Sequence, residues 1–142
     1  MHKIKIYFFT LIVVFFYEQN VFSKNNYFEE AEKLFSEKKY IKSKFKFEKD
    51  IVFNPKNEKS YLYLAKIFNQ QQNDTMEEQN LNTVILLNPK NEEALYLLAL
   101  LMIKKSDYSE TQKLIETLKK VCKTYCSKEE ELIKKLGNLQ PK

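Results

Sequence analysis

N-P-K-N stands at residues 54–57 and again at residues 88–91, one interval of 34 residues apart. A fixed interval of this length indicates an architecture of stacked repeats. Each repeat buries its apolar face against its neighbours, so the core grows one unit at a time. The chain length of 142 residues fits a single domain built in this way.

Apolar residues recur at helical spacing on both sides of the tetrapeptides. When the proline takes position 32 of a unit, residues 58–91 and 92–125 form two units, and residues 24–57 form a less regular first one. The first helix of a unit carries large residues and one small residue on a common face. In the two regular units these residues are Tyr61, Leu64, Ala65 and Phe68, then Leu95, Leu98, Ala99 and Met102.

This pattern resembles the tetratricopeptide repeat over residues 24–125, with the tetrapeptides in register. The resemblance implies an all-α fold, a right-handed α-solenoid of about three helix pairs plus a C-terminal capping helix. The first unit departs from the pattern at Glu30 and at Asp50, where a small apolar residue is expected. The middle unit departs from it at Glu77 and lacks the usual glycine in its turn.

Residues 42–47, K-S-K-F-K-F, alternate with period two, which is typical of a strand. The repeat register predicts a helix there instead, because a lone strand among helices would have no partner.

A capping helix is predicted at residues 127–136. Ser127 precedes Glu130 by three residues, which is the capping-box signature of a helix start. The helix should run from about Lys128 to Leu136, with Gly137 as its stop and residues 137–142 as a tail. Its apolar residues, which we expect to face the last repeat, are Leu132, Ile133 and Leu136.

Residues 1–23 read as a signal peptide. Lys3 and Lys5 precede an apolar run of 12 residues at positions 6–17, whereas a membrane-spanning helix needs about 20. Small or modest side chains at Val21 and Ser23 predict cleavage after Ser23, and therefore an exported protein, periplasmic or secreted. The alternative is an uncleaved N-terminal membrane anchor, which would make the chain a membrane-tethered assembly factor.

The composition argues against an enzyme. All 24 basic residues are lysines, the single histidine is His2, and there is one glycine. The mature chain thus lacks a histidine base, a guanidinium fork for phosphate and a glycine-rich loop. Cleavage leaves 22 lysines against 18 acidic residues, a net charge of +4. This mild surplus predicts solubility and no nucleic-acid surface, and we expect no cofactor and no metal.

Cys122 and Cys126 are the only cysteines. In an exported chain such a pair indicates a disulfide, here across the turn predicted at residues 123–125. A redox or metal pair is disfavoured, because the spacing is not C-x-x-C and no histidine completes a zinc site. In a reducing cytosol both residues would be buried thiols.

The family register implies a concave groove that binds another protein. The residues it assigns to that groove are Phe28, Glu32, Phe35, Leu62, Lys66, Asn69, Tyr96, Leu100 and Ile103. Aromatic residues on an exposed face favour a peptide or helix as the partner, with Phe35, Leu62 and Tyr96 as the main anchors. The alternative is that some of these residues pack on the capping helix or the chain's own tail.

The resemblance does not extend to repeat domains that clamp chaperone tails. Those domains use basic and amide residues in the groove, whereas Phe28, Glu32 and Glu93 stand at such positions here. The resemblance therefore implies a protein–protein interaction scaffold whose partner the sequence does not name.

A lysine-rich segment at residues 38–49 is a second candidate surface. Its six lysines are diluted by Glu37, Glu48 and Asp50. Such a helix contacts anionic lipid or nucleic acid in some proteins, but it is more often a solvated face. An enzyme that uses carboxylates or lysine is the remaining hypothesis, and the sequence offers no clustered residues for it.

Overall fold

The computed structural model describes residues 26–139, which form seven α-helices and no strand. The helices are α1 (Tyr27–Ser36), α2 (Tyr40–Phe53), α3 (Glu58–Gln70), α4 (Asp74–Leu87), α5 (Glu92–Lys104), α6 (Tyr108–Val121) and α7 (Cys126–Leu139). Sequential helices pack in the pairs α1/α2, α3/α4 and α5/α6, and α7 packs on α5 and α6. The predicted all-α solenoid is confirmed, and so is a helix at residues 42–47. The predicted signal peptide and residues 140–142 lie outside the described residues.

Small residues allow the helices of each pair to approach closely. Ala31, Ala65 and Ala99 follow one another at intervals of 34 residues, and all three are fully buried. The core has two clusters, one between α1, α2 and α3 and the other from α3 through α7. Because α3 contributes side chains to both, the core runs along the array and not around one centre.

The turn inside each helix pair contains a strained residue. Lys38, Gln72 and Ser106 occupy equivalent positions and have φ values of 59°, 55° and 60°. This left-handed conformation costs a residue with a Cβ roughly 1–2 kcal/mol, and glycine avoids the cost. The absence of glycine from these turns therefore leaves the fold intact and adds strain at three places.

The last helix differs from its prediction in both boundaries. It begins at Cys126, and the backbone N–H groups of Lys128 and Glu129 donate to the carbonyl of Tyr125 at 2.9 and 3.2 Å. Ser127 thus lies inside the first turn, so its predicted role as the cap is wrong. Gly137 is also helical, without a positive φ, because the helix runs on to Leu139.

Only part of the apolar face of α7 is buried. Leu132 and Leu136 join the core, whereas Ile133 is exposed, which corrects the expectation that all three face the last repeat. The turn before this helix carries the predicted disulfide between Cys122 and Cys126, with a Cα–Cα distance of 5.3 Å. None of the seven described helices is both long and apolar enough to cross a bilayer.

Candidate protein-binding groove

The first helices of the three pairs are linked side by side through polar contacts. The Tyr63 hydroxyl on α3 donates to Glu32 Oε1 on α1 at 2.8 Å. Lys66 Nζ, one turn further along α3, lies 2.7 Å from Glu93 Oε1 on α5. These contacts line up α1, α3 and α5 and form one surface, the groove, from predicted residues of three separate units.

Aromatic side chains form the N-terminal half of the groove. Phe35 lies edge-on to both Tyr63 and Tyr40, with ring centroids 4.9 and 5.4 Å apart. Phe28 lies 6.1 Å from Tyr63 in the same manner. Because the two phenylalanines are half-buried, each keeps part of its ring accessible.

Tyr63 joins these rings to the polar contacts and was not predicted as a groove residue. Burial, and then the hydrogen bond to Glu32, raise the pKa of Tyr63 to about 12. The hydroxyl therefore stays protonated and remains a donor at neutral pH.

An open cleft of about 280 Å³ lies at the centre of the groove. Its lining brings together three predicted residues, Phe35, Lys66 and Asn69. It also includes four that the family register did not assign, Tyr40, Gln70, Glu77 and Leu97. Tyr40 and Glu77 belong to the second helices α2 and α4, so positions on first helices alone do not reveal them.

Glu77 places a carboxylate in the wall of this cleft. Its residue is 2% exposed, and Asn69 Nδ2 donates to both of its oxygens at 3.0 Å. Burial raises the pKa of Glu77, the nearby Asp74 adds to the effect, and the bond from Asn69 opposes it. With one amide as its only side-chain donor among the described residues, this carboxylate favours a cation in the cleft.

The C-terminal half of the groove is covered in part by α7. The Tyr96 hydroxyl donates to Glu131 Oε1 at 3.3 Å, and Lys128 Nζ lies 5.5 Å from the centre of the Tyr96 ring. Tyr96 also packs on Tyr125, with centroids 5.9 Å apart. The alternative that groove residues pack on the last helix is thus correct for Tyr96, while Leu100 and Ile103 pack partly against the core.

Leu62 is buried in the core, where it belongs to the same cluster as Ala94, Leu95 and Leu98. The expectation that it points away from the core is therefore wrong. Its register position is a groove position in the family, but here α3 and α5 pack closely enough to enclose a leucine.

The described residues contain no group of three histidine, cysteine, aspartate or glutamate side chains placed to hold a metal ion. The groove's chemistry is therefore that of aromatic surface, amides and paired charges.

Neither a protein-family model nor a curated protein matches this chain. Solved structures do match it. The first TPR domain of Spaghetti (RPAP3), bound to the HSP90 peptide SRMEEVD, is 18% identical with a TM-score of 0.71, over 80% of this chain and 90% of that chain. The TPR2B domain of yeast Sti1, in a complex with pHsp70, is 14% identical with a TM-score of 0.73, over 80% and 98%.

A bacterial structure matches to a similar degree. The Yersinia enterocolitica type III secretion translocator chaperone SycD is 10% identical with a TM-score of 0.70, over 80% of each chain. At such identities the likeness shows the fold alone: the chain is an α-solenoid of tetratricopeptide-like helix pairs.

Proposed function

We propose that this chain is a non-enzymatic scaffold that binds a peptide segment of a partner protein in its groove. The observation that carries the proposal is the open cleft of about 280 Å³ between Phe35, Lys66, Asn69 and Leu97. Concave sites with apolar walls and a few polar groups are typical binding sites. Two of the similar structures have HSP90 and pHsp70 ligands in their titles, which supports a peptide as the class of ligand.

The charges around the cleft favour a basic and apolar segment. Glu32, Glu77 and Glu93 bring three carboxylates to the groove, whereas Lys66 is paired with Glu93. An acidic segment would meet like charges, which oppose binding. We therefore propose a ligand unlike SRMEEVD, with a lysine or arginine beside a large apolar residue.

In this proposal the cleft holds both parts of such a segment. The apolar side chain packs against Phe35, Tyr40 and Leu97, and the cation lies near the Glu77 carboxylate. Asn69 and Gln70 offer amides for the peptide backbone. Apolar anchors in a pocket dominate binding energy, and charges chiefly set specificity and association rate.

Peptides selected from a random library on the full-length chain provide the test. Phe35→Ala should weaken a selected peptide at least about tenfold, as expected for an anchor. Tyr96→Ala should change its affinity less than about threefold, because α7 already occupies that ring. The matched control is Ile41→Ala on the outer side of α2, and SRMEEVD is the control ligand. Equal affinities for the Phe35 and Ile41 variants would reject the groove as the site.

We further propose that the protein is exported. Residues 1–23 have the sequence of a signal peptide, and the Cys122–Cys126 pair lies at disulfide distance. Mass spectrometry of the protein from its own cells should find an N-terminus at Lys24 and neither cysteine alkylated without prior reduction. An intact Met1 on a membrane-bound chain would favour the alternative, a membrane-tethered assembly factor.

A further inference from the structure

The outer face of α2 exposes an apolar stripe. Ile41, Phe45 and Val52 are 78%, 55% and 75% exposed, and their spacing of four and seven residues places them along one side of the helix. Phe53 extends the stripe at its C-terminal end. The opposite side of α2 is fully buried, so the stripe is not required for packing within the described domain.

Lysines border this stripe. Lys49 Nζ lies 4.7 Å from the centre of the Phe45 ring, and Lys38 and Lys42 are exposed beside Ile41. Along the described chain, no carboxylate oxygen lies within 4.0 Å of the nitrogens of these three lysines.

The acidic residues that dilute this segment in the sequence are engaged elsewhere. Glu37 pairs with Lys39 at 2.7 Å and Glu48 pairs with Lys44 at 3.0 Å. Asp50 is fully buried on the other side of the helix. The exposed face of α2 is therefore apolar and positively charged, which the sequence composition alone did not reveal.

We propose that this face of α2 docks on an anionic phospholipid surface. Helical faces with apolar side chains flanked by lysines lie in the boundary between headgroups and acyl chains. The lysine stems extend along the apolar surface while their ammonium groups reach the phosphates. An open hollow of about 360 Å³ beneath Lys49, lined by Phe45, Val52 and Phe53, accepts part of an acyl chain.

The position of the remaining chain supports a membrane as the occupant. Tyr27, at the start of α1, stacks on Phe53 with ring centroids 5.5 Å apart. The N-terminal sequence, with its apolar run at residues 6–17, therefore joins the domain at the end of the stripe. The proposed docking needs no membrane anchor, and it leaves the groove on α1, α3 and α5 free.

A single tryptophan provides a local reporter, because the sequence contains none. Phe45→Trp places it in the stripe, and Leu86→Trp places it at a site on α4 that is 81% exposed and outside the stripe. The full-length chain is mixed with phosphatidylcholine vesicles that lack or contain phosphatidylglycerol. The emission of Phe45→Trp should shift to the blue and be quenched by brominated lipid with the anionic vesicles alone, and Leu86→Trp should not respond.

Charge reversal tests the lysines. Lys42→Glu with Lys49→Glu, added to Phe45→Trp, should reduce partitioning into the anionic vesicles at least about tenfold. An equal response from both reporters, or a shift independent of lipid charge, would overturn the proposal. A blue shift that grows with protein concentration without vesicles would show instead that the stripe joins two copies of the chain.

Discussion

The two N-P-K-N turns have identical sequences and different hydrogen bonds. In the first, Asp50 Oδ1 accepts from Asn54 Nδ2 at 2.8 Å and Oδ2 accepts from Asn57 Nδ2 at 2.7 Å. The hydroxyl of the buried Ser60 donates to the same carboxylate. A buried carboxylate inside the first helix pair thus closes its own turn.

In the second turn that buried network is replaced by apolar contacts. Val84 stands where the first unit has Asp50, and Ala94 stands where it has Ser60; both are fully buried. Asn88 Nδ2 donates to Glu58 Oε1 at 3.0 Å. Asn91 is left to cap α5, and it accepts from the Ala94 N–H at 2.9 Å.

The difference teaches that the tetrapeptide specifies the turn and its surroundings specify the partner. Glu58 and Glu92 occupy equivalent positions, and each accepts hydrogen bonds from the turn one unit later. The position equivalent to Glu58 in the first unit is Lys24, which is not a hydrogen-bond acceptor. Asp50 is therefore the carboxylate of the turn for which the sequence offers no preceding glutamate.

The largest expected effect comes from giving the first turn the residue of the second. Asp50→Val should lower the free energy of unfolding by about 3 kcal/mol, because Ser60 and two amides lose their buried acceptor. Adding Ser60→Ala, which completes the exchange, should recover about 1 kcal/mol, because a buried hydroxyl no longer lacks a partner. Urea denaturation measures both. A single variant within about 0.5 kcal/mol of wild type would contradict the network's role.

A position that is alike in the units should respond alike. Ala65→Leu and Ala99→Leu should each lower the free energy of unfolding by about 2 kcal/mol, because both sites between paired helices are already filled. Denaturation midpoints compared with that of Thr75→Leu, an exposed change on α4, measure the effect. Unchanged midpoints for both alanine variants would mean that the small residues do not limit the helix spacing.

The second turn should be less sensitive than the first. Glu58→Ala should cost about 1 kcal/mol, because the asparagine amides that lose an acceptor are only partly buried and water replaces it. Glu116→Ala, at an exposed site on α6, serves as the control. A loss as large as that of Asp50→Val would erase the distinction between a buried and an accessible network.

The smallest effect at neutral pH concerns the third turn, where Glu92 Oε2 accepts from the N–H groups of Thr124 and Tyr125 at 2.9 and 2.8 Å. Backbone hydrogen bonds, from Lys123 first and then Tyr125, lower the pKa of Glu92 from 4.5 to about 2. Because the folded pKa is depressed, this stabilisation is present above pH 4.5 and is lost as the pH falls towards 2.

Glu92→Gln should remove that part of the acid dependence. Thermal unfolding across the same pH range, with wild type in parallel, measures the change. Identical acid slopes for the two proteins would show that the carboxylate does not favour the folded state.

The groove was predictable in outline and not in composition. Phe35, Lys66 and Asn69 reach one cleft, as the repeat register implies, because equivalent positions on stacked first helices share a face. Leu62 has the same kind of position and is buried by the close packing of α3 on α5. Glu77 reaches the cleft from a second helix, which no position on the first helices indicates.

The sequence by itself determined the period, the helix pairs, the buried alanines and the turn that joins the two cysteines. These follow from spacing, since side chains 34 residues apart occupy the same place in each unit. Only the tertiary structure decided which carboxylate closes each turn, that α7 covers Tyr96, and that the apolar stripe of α2 stays exposed. Each of these depends on neighbours that are distant in sequence, and neither composition nor periodicity specifies how closely those neighbours approach.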